Sequence, residues 1–152
     1  MTTFQPLLNQ NIETITQMMQ DFYAIDNYPI DIEVSKQLFK EFISNENLGK
    51  AFLICQSDEG RISEIIGYVI LTFIFSFEYS GKIAFLDELY ISENFRGKGI
   101  GKQAIDFIKQ EATQLNVKLI YLEVENHNVN AQKLYLANDF ETHNRNLLKY
   151  KP

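Results

Sequence analysis

The spacing of apolar residues changes period twice along the 152 residues of the chain. After a short extended start, TTFQPLL, the residues Ile12, Ile15, Met18, Met19, Phe22 and Tyr23 recur on one side at helical spacing. This predicts a helix over NQNIETITQMMQDFYAI, with Asn9 or Asn11 as its cap. Pro29 biases Tyr28 toward an extended backbone and ends that pattern. A second helix is expected from Asp31, its own cap, with Val34, Leu38, Phe39, Phe42 and Ile43 as the apolar stripe.

The period then shortens. KAFLICQS, EIIGYVILTFIFSFEY and KIAFLDELYI are rich in β-branched and aromatic residues, and SDEGRIS and YSGK between them carry turn formers, which predicts an antiparallel meander of three strands. Helical spacing returns at Ile100, Ala104, Ile105, Phe107, Ile108, Ala112 and Leu115, followed by VKLIYLEVE as a strand. A strand, a helix of about 15 residues and a further strand make a parallel crossover. VNAQKLYLAN is a last short helix, and FETHNRNLLKY is expected to end the chain as one or two strands. The order β-α-α-β-β-β-α-β-α-β implies an α/β (α+β) architecture: a mixed, mostly antiparallel sheet of six or seven strands with helices on both faces.

At 45% hydrophobic, a chain of this length forms one well-cored unit, so a single domain over 1–152 is expected. A net charge of −6 argues against a generally basic surface of the kind that tracks nucleic acid. Any polyanion site must therefore be local. The single cysteine, Cys55, lies in the apolar run AFLICQ, which suits a buried, inert thiol. The start MTTFQPLLNQ has neither a cationic leader region nor a long apolar stretch, and no segment approaches the roughly 18 apolar residues of a membrane span. A soluble, cytoplasmic protein is expected, with no nucleic-acid or membrane partner. His127 and His143 lack metal-ligand spacing, so no metal is implied.

NFRGKGIGKQAI is the most chemically suggestive stretch. A triphosphate-binding loop needs four residues between its first glycine and the Gly-Lys pair, then a hydroxyl; here Gly97 and Gly101 enclose three, and Gln103 follows Lys102. A dinucleotide fingerprint needs its third glycine where Lys102 stands. What remains is Arg96-x-x-Gly99-x-Gly101 at a helix start, where unpaired N–H groups and a partial positive charge suit a phosphate, and where Arg96, Lys98 and Lys102 add full charges. A pyrophosphate fits such a cradle. An ordinary glycine turn with solvated lysines has the same six residues.

FLDELYISENFRGKGIGKQAI followed by YLEVENHNVNAQKLYLANDF resembles the GCN5-related N-acetyltransferase superfamily. The likeness extends to the whole order of elements, with its two specific motifs in roughly residues 85 to 140. It implies the fold of that superfamily, acetyl-CoA as co-substrate, and direct acetyl transfer to a primary amine. Mapped onto this chain, Leu89, Tyr90 and Ile91 lend backbone groups to the pantetheine arm and acetyl carbonyl. Arg96, Gly97, Lys98, Gly99, Ile100, Gly101 and Lys102 take the pyrophosphate, and Asn128 contacts the pantetheine while also suiting a helix cap. Tyr135, seven residues after Asn128, matches the tyrosine that protonates the departing thiolate. Two carboxylates compete as base: Glu123, placed as in bacterial ribosomal-protein N-terminal acetyltransferases, and Asp87, nine residues before Arg96, placed as in spermidine/spermine acetyltransferases. Strand alternation makes Glu88 and Glu125 second choices.

Where the superfamily usually has Gly-Phe after the final helix, Asp139-Phe140 stands, and Asp tolerates the left-handed backbone such an end demands. Acceptor choice would come from the first two helices and the last strands. Tyr23, Tyr28, Asp26 and Asp31, with Asp87, Glu88, Glu123 and Glu125, form an aromatic and acidic wall suited to a cationic small-molecule or peptide amine: a polyamine, an aminoglycoside, a lysine or a peptide N-terminus. Exposed final strands suggest a homodimer. Two alternatives stay open, a catalytically silent acyl-CoA-binding module acting through a protein partner and a nucleotide-binding or structural α/β domain.

Overall fold

Long β-branched and aromatic runs build the centre of the molecule. In the computed structural model, which describes residues 1–58 and 61–152, β2 (Gly49–Asp58), β3 (Arg61–Ser76) and β4 (Gly81–Ile91) form the expected meander. Glu59 and Gly60, in the expected SDEGRIS turn, lie outside the described residues. β1 (Thr2–Pro6) pairs antiparallel with β2, and the short β5 (Ile120–Leu122) pairs parallel with β4. The sheet order is β1-β2-β3-β4-β5. The mixed, mostly antiparallel character is as the pattern predicts.

Alternation along β2 and β3 fills two cores. Ala51, Leu53, Cys55, Tyr68 and Ile70 point to one face, where α1 (Ile12–Ile25) and α2 (Ile32–Ser44) cover them. Phe52, Val69 and Leu71 point to the other, against Ile108 of α3 (Ile100–Gln114). Cys55 is fully buried, as expected. Asp31 caps α2 by accepting from the Val34 N–H at 3.0 Å. The Asn11 carboxamide instead accepts from Leu8 N–H at 3.3 Å, so it braces the loop before α1 rather than capping the helix. In α2 only the Phe39 end of the expected stripe is buried, and Val34 and Leu38 are exposed.

Five strands are present among the described residues where six or seven were expected. β5 stops at Leu122, so Glu123 and Glu125 fall in a loop, and residues 140–152 form no strand. The reason lies in the polar run THNR, which offers no apolar face to a sheet. Its side chains are engaged elsewhere: Arg145 makes two hydrogen bonds to Glu78 in the β3–β4 turn, at 2.6 and 2.9 Å, and His143 bonds Tyr121 at 3.0 Å. Leu147, Leu148 and Tyr150 are left exposed.

Candidate active site

The site begins where two strands part. β4 and β5 pair only at Ala84, Phe85 and Leu86. Beyond Leu86 the stretch Asp87–Ile91 has β3 on one side and no strand on the other. The β3–β4 ladder slips at the same place, with Leu71 opposite Leu86 but Ile70 opposite Glu88. Asp87 is thus the extra residue of a bulge, which re-aims its side chain away from the regular pleat. Plain alternation cannot foresee this.

A cavity of about 440 Å³ adjoins the free stretch and is lined by Leu89, Tyr90, Ile91, Arg96 and Asn128, with α1 closing it through Phe22 and Asp26. Five residues expected at the coenzyme are therefore gathered in one place. A larger cavity, about 700 Å³, lies apart from them between β5, the end of α3 and residues 139–145.

Next to this stretch the chain turns into α3. Gly97 and Gly99 have φ values of 72° and 79°, a left-handed region costly for other residues, and neither would crowd an added Cβ. Gly101 is glycine for another reason: a Cβ there would lie 2.9 Å from Leu134 Cδ2 of α4 (Val129–Leu136). No side chain caps the first turn of α3, so its N–H donors remain available to an anion. The cations are more engaged than expected. Arg96 Nε donates to the Ile91 carbonyl at 2.7 Å with its guanidinium over the Tyr90 ring, Lys98 lies over Phe95, and Lys102 pairs with Asp106 at 2.6 Å. Ile100 is buried beneath the turn. Leu89 and Ile91 pack on the α3-side cores, and Tyr90 packs toward α1.

Asn128 caps α4, accepting from Ala131 N–H at 3.1 Å. Tyr135 packs on the α3-side core and edge-on to Phe140, its ring centroid 5.6 Å away. Burial pushes the Tyr135 phenol up to about 12, so it keeps its proton at neutral pH. Asp139 adopts φ 66°, the left-handed conformation expected of it, and pairs with Lys109 at 2.8 Å.

Carboxylates and tyrosines collect on the α1 side. Asp87 is solvent-exposed, yet the enclosing chain and the nearby Glu123 carboxylate raise its pKa. Glu88 differs from the open wall expected of it: it is only 9% exposed, and its two oxygens accept from Tyr23 Oη at 2.6 Å and Tyr68 Oη at 2.7 Å. Burial raises its pKa, and the two hydroxyls pull the other way. Tyr28 donates to Glu125, and His127 Nε2 bonds Asp26 Oδ1 at 2.8 Å. These two contacts tie the α1–α2 connection to the loop before α4. The Asp26–His127 pair and the buried Tyr68 were missed by sequence reasoning, because their partners lie 101 and 20 residues away with no motif linking them.

A family model described as the acetyltransferase (GNAT) family matches residues 13–140. The chain belongs to this family. Among curated relatives, the D-amino-acid N-acetyltransferase HPA3 of Saccharomyces cerevisiae is 30% identical over 61 residues, which are 40% of this chain and 38% of that protein. The match thus spans well under half the length of that relative. Among solved structures, the integron cassette protein HFX_CASS3 from the mobile metagenome of Cole Harbour Salt Marsh is 26% identical, with a TM-score of 0.85 over 97% of this chain and 89% of that one. A predicted acetyltransferase of Clostridium acetobutylicum, solved with acetyl-CoA, has the same fold at 15% identity, with a TM-score of 0.78 over 99% of this chain and 96% of that one. No described helix is long and apolar enough to cross a membrane.

Proposed function

We propose that residues 1–152 act as one unit that transfers an acetyl group from acetyl-CoA directly to the primary amine of a cationic acceptor. The observation that carries this reading is the parting of β4 from β5 after Leu86, which opens unpaired β4 backbone beside an uncapped helix start. The acetyl-CoA bound by the Clostridium neighbour and the amine chemistry in the yeast relative's name support the same choice.

The residues fit the co-substrate on their own chemistry. First-turn N–H groups of α3, with the left-handed Gly97 and Gly99 before them, suit a pyrophosphate. The open edge of Leu89, Tyr90 and Ile91 suits an amide-bearing arm, and Asn128 closes the far side. Lys98 and Lys102 supply long-range attraction. Arg96, held against Ile91, shapes the turn.

An alkylammonium with a pKa near 10.4 lies about 3.4 units above neutral pH, which costs about 4 to 5 kcal/mol to deprotonate. Asp87, with its raised pKa, takes that proton, and Glu123 stands as its neighbour and rival for the role. The freed nitrogen lone pair attacks the thioester carbonyl carbon. The C–S bond then breaks, the Tyr135 hydroxyl gives its proton to the sulfur, and the second proton shed by the new amide nitrogen passes through water to restore the tyrosine. No donor among the described residues binds the Tyr135 hydroxyl in the free protein, and burial holds it protonated. Acidic groups at 26, 87, 123 and 125 favour a cationic acceptor.

Thermal unfolding with acetyl-CoA, ATP and NAD, alongside an amine panel read by release of free thiol, tests the reading. Acetyl-CoA alone should raise the midpoint, and at least one cationic amine should release thiol. A shift without thiol release from any amine would leave a silent acyl-CoA-binding module. A shift with ATP or NAD instead would return the turn to nucleotide binding.

A further inference from the structure

Three tyrosines on the α1 side of the sheet direct their only hydroxyl proton at a carboxylate. Tyr23 and Tyr68 donate to the two oxygens of Glu88, and Tyr28 donates to Glu125. A phenolic hydroxyl has one proton and two lone pairs. Once the proton is committed to an ionised carboxylate, only lone pairs remain for a ligand.

At Tyr23 that commitment is firm. Turning its O–H elsewhere would leave one oxygen of a buried carboxylate unmatched, which is far costlier than losing an exposed bond. Tyr68, fully buried, holds the other oxygen and fixes the carboxylate in place. Burial and the Glu88 charge raise the pKa of both phenols, so neither gives up its proton near neutral pH. Tyr23 itself is half-buried, at the end of α1 that also lines the cavity through Phe22 and Asp26, and its ring meets that of Tyr28 at 6.5 Å. No described donor occupies its remaining lone pairs.

We propose that Glu88, braced by Tyr68, locks Tyr23 as an acceptor-only hydroxyl that receives one N–H of the acceptor's ammonium while Asp87 receives another. This rests on the acetyltransferase reading of the same opening and deepens it by naming the side chain that holds the primary ammonium beside the base. A hydroxyl or thiol acceptor has a single proton and cannot satisfy both groups. Tyr23 touches the substrate; Glu88 and Tyr68 act through it as positioning residues.

The test uses one amine turned over by the wild type and measures its KM and the acetyl-CoA Kd in Tyr23→Phe, Glu88→Gln, the double variant and Tyr68→Phe. Tyr23→Phe should raise acceptor KM on the order of 10-fold with acetyl-CoA Kd unchanged. Glu88→Gln should do the same without touching substrate, because the glutamine NH2 group donates toward one tyrosine and releases its O–H. The double variant should be no worse than either single one. Tyr68→Phe should show a smaller effect in the same direction. An unchanged acceptor KM in Tyr23→Phe, additive single effects, or an equal loss of acetyl-CoA affinity overturns the proposal. If Glu88→Gln or Tyr68→Phe does not fold, Tyr23→Phe decides alone through the same KM and Kd comparison. A wild type that binds acetyl-CoA yet acetylates no amine sinks the acetyltransferase reading and this proposal together, whereas an active wild type with unaffected variants sinks this proposal only.

Discussion

The two flanks of the free β4 stretch are built from different materials. Toward α3 the chain offers backbone: unpaired strand edge, left-handed glycines and uncapped helix N–H groups, with Arg96 and Lys102 tied to neighbours of their own. Toward α1 it offers side chains: Asp87, Glu88, Glu123 and Glu125 interlaced with Tyr23, Tyr28 and Tyr68. Backbone presents the same donors whatever the side chains, so it suits an invariant co-substrate. Carboxylates and hydroxyls carry charge, direction and protonation state, so they suit a choice among acceptors and the movement of a proton. On the proposed reading the difference is one of permitted variation: a coenzyme flank made of backbone would tolerate few changes of backbone, and an acceptor flank made of side chains would admit more changes of side chain.

That contrast can be broken most sharply at Tyr135, which α4 supplies to the α3-side core. Tyr135→Phe should lower kcat on the order of 100-fold in thiol-release assays while the acetyl-CoA midpoint shift persists. Unchanged turnover would remove it as the acid. Because its phenol is held near 12, no falling limb from Tyr135 should appear below about pH 10 in the wild type.

Next in size are the two carboxylates. Asp87→Asn should lower kcat on the order of 10-fold and remove the rising limb of the pH profile, whereas Glu123→Gln should keep that limb and move it to lower pH. The sign follows from Asp87 itself: its pKa is raised first by burial and second by the Glu123 charge, so removing that charge takes away part of the shift. A limb lost in Glu123→Gln and kept in Asp87→Asn would exchange their roles.

Backbone recognition predicts that Gly99→Ala weakens acetyl-CoA about 10-fold in titration, since φ 79° costs a non-glycine residue roughly 1–2 kcal/mol. Lys98→Ala should change the same affinity only about twofold, and the change should fade in added salt. Equal effects at the two positions would mean that side-chain charge, rather than backbone, holds the co-substrate.

The smallest effect concerns stability. A carboxyl whose folded pKa lies above its unfolded one contributes stability below the unfolded pKa and loses it as pH rises through the folded value. Asp87 is such a group, and its exposure keeps the effect slight. Asp87→Asn should raise Tm by about 1 °C at pH 7, with the gain vanishing near pH 3.

Much of this molecule was legible before any coordinates. The meander, the crossover and the glycine turn are encoded by local period and by residues whose backbone preferences act at their own position. Asp139 shows how far that reaches: its left-handed φ was expected from its residue type and place after α4. The end of the chain was less legible. LLKY has strand-like residues, but Arg145 and His143 are captured by Glu78 and Tyr121, and which side chain captures which depends on folds that bring them together. The acceptor flank failed for the same reason. Alternation placed Asp87 and Glu88 on opposite faces of an ideal strand, and the bulge opposite Ile70 and Leu71 reset both. By itself the sequence determined the order of elements, the turn at Gly97–Gly101 and the residue types gathered for chemistry, because these depend on neighbours along the chain. Only the tertiary structure decided that Glu88 is buried between Tyr23 and Tyr68 while Asp87 stays open beside Glu123, because hydrogen bonds and desolvation depend on neighbours in space.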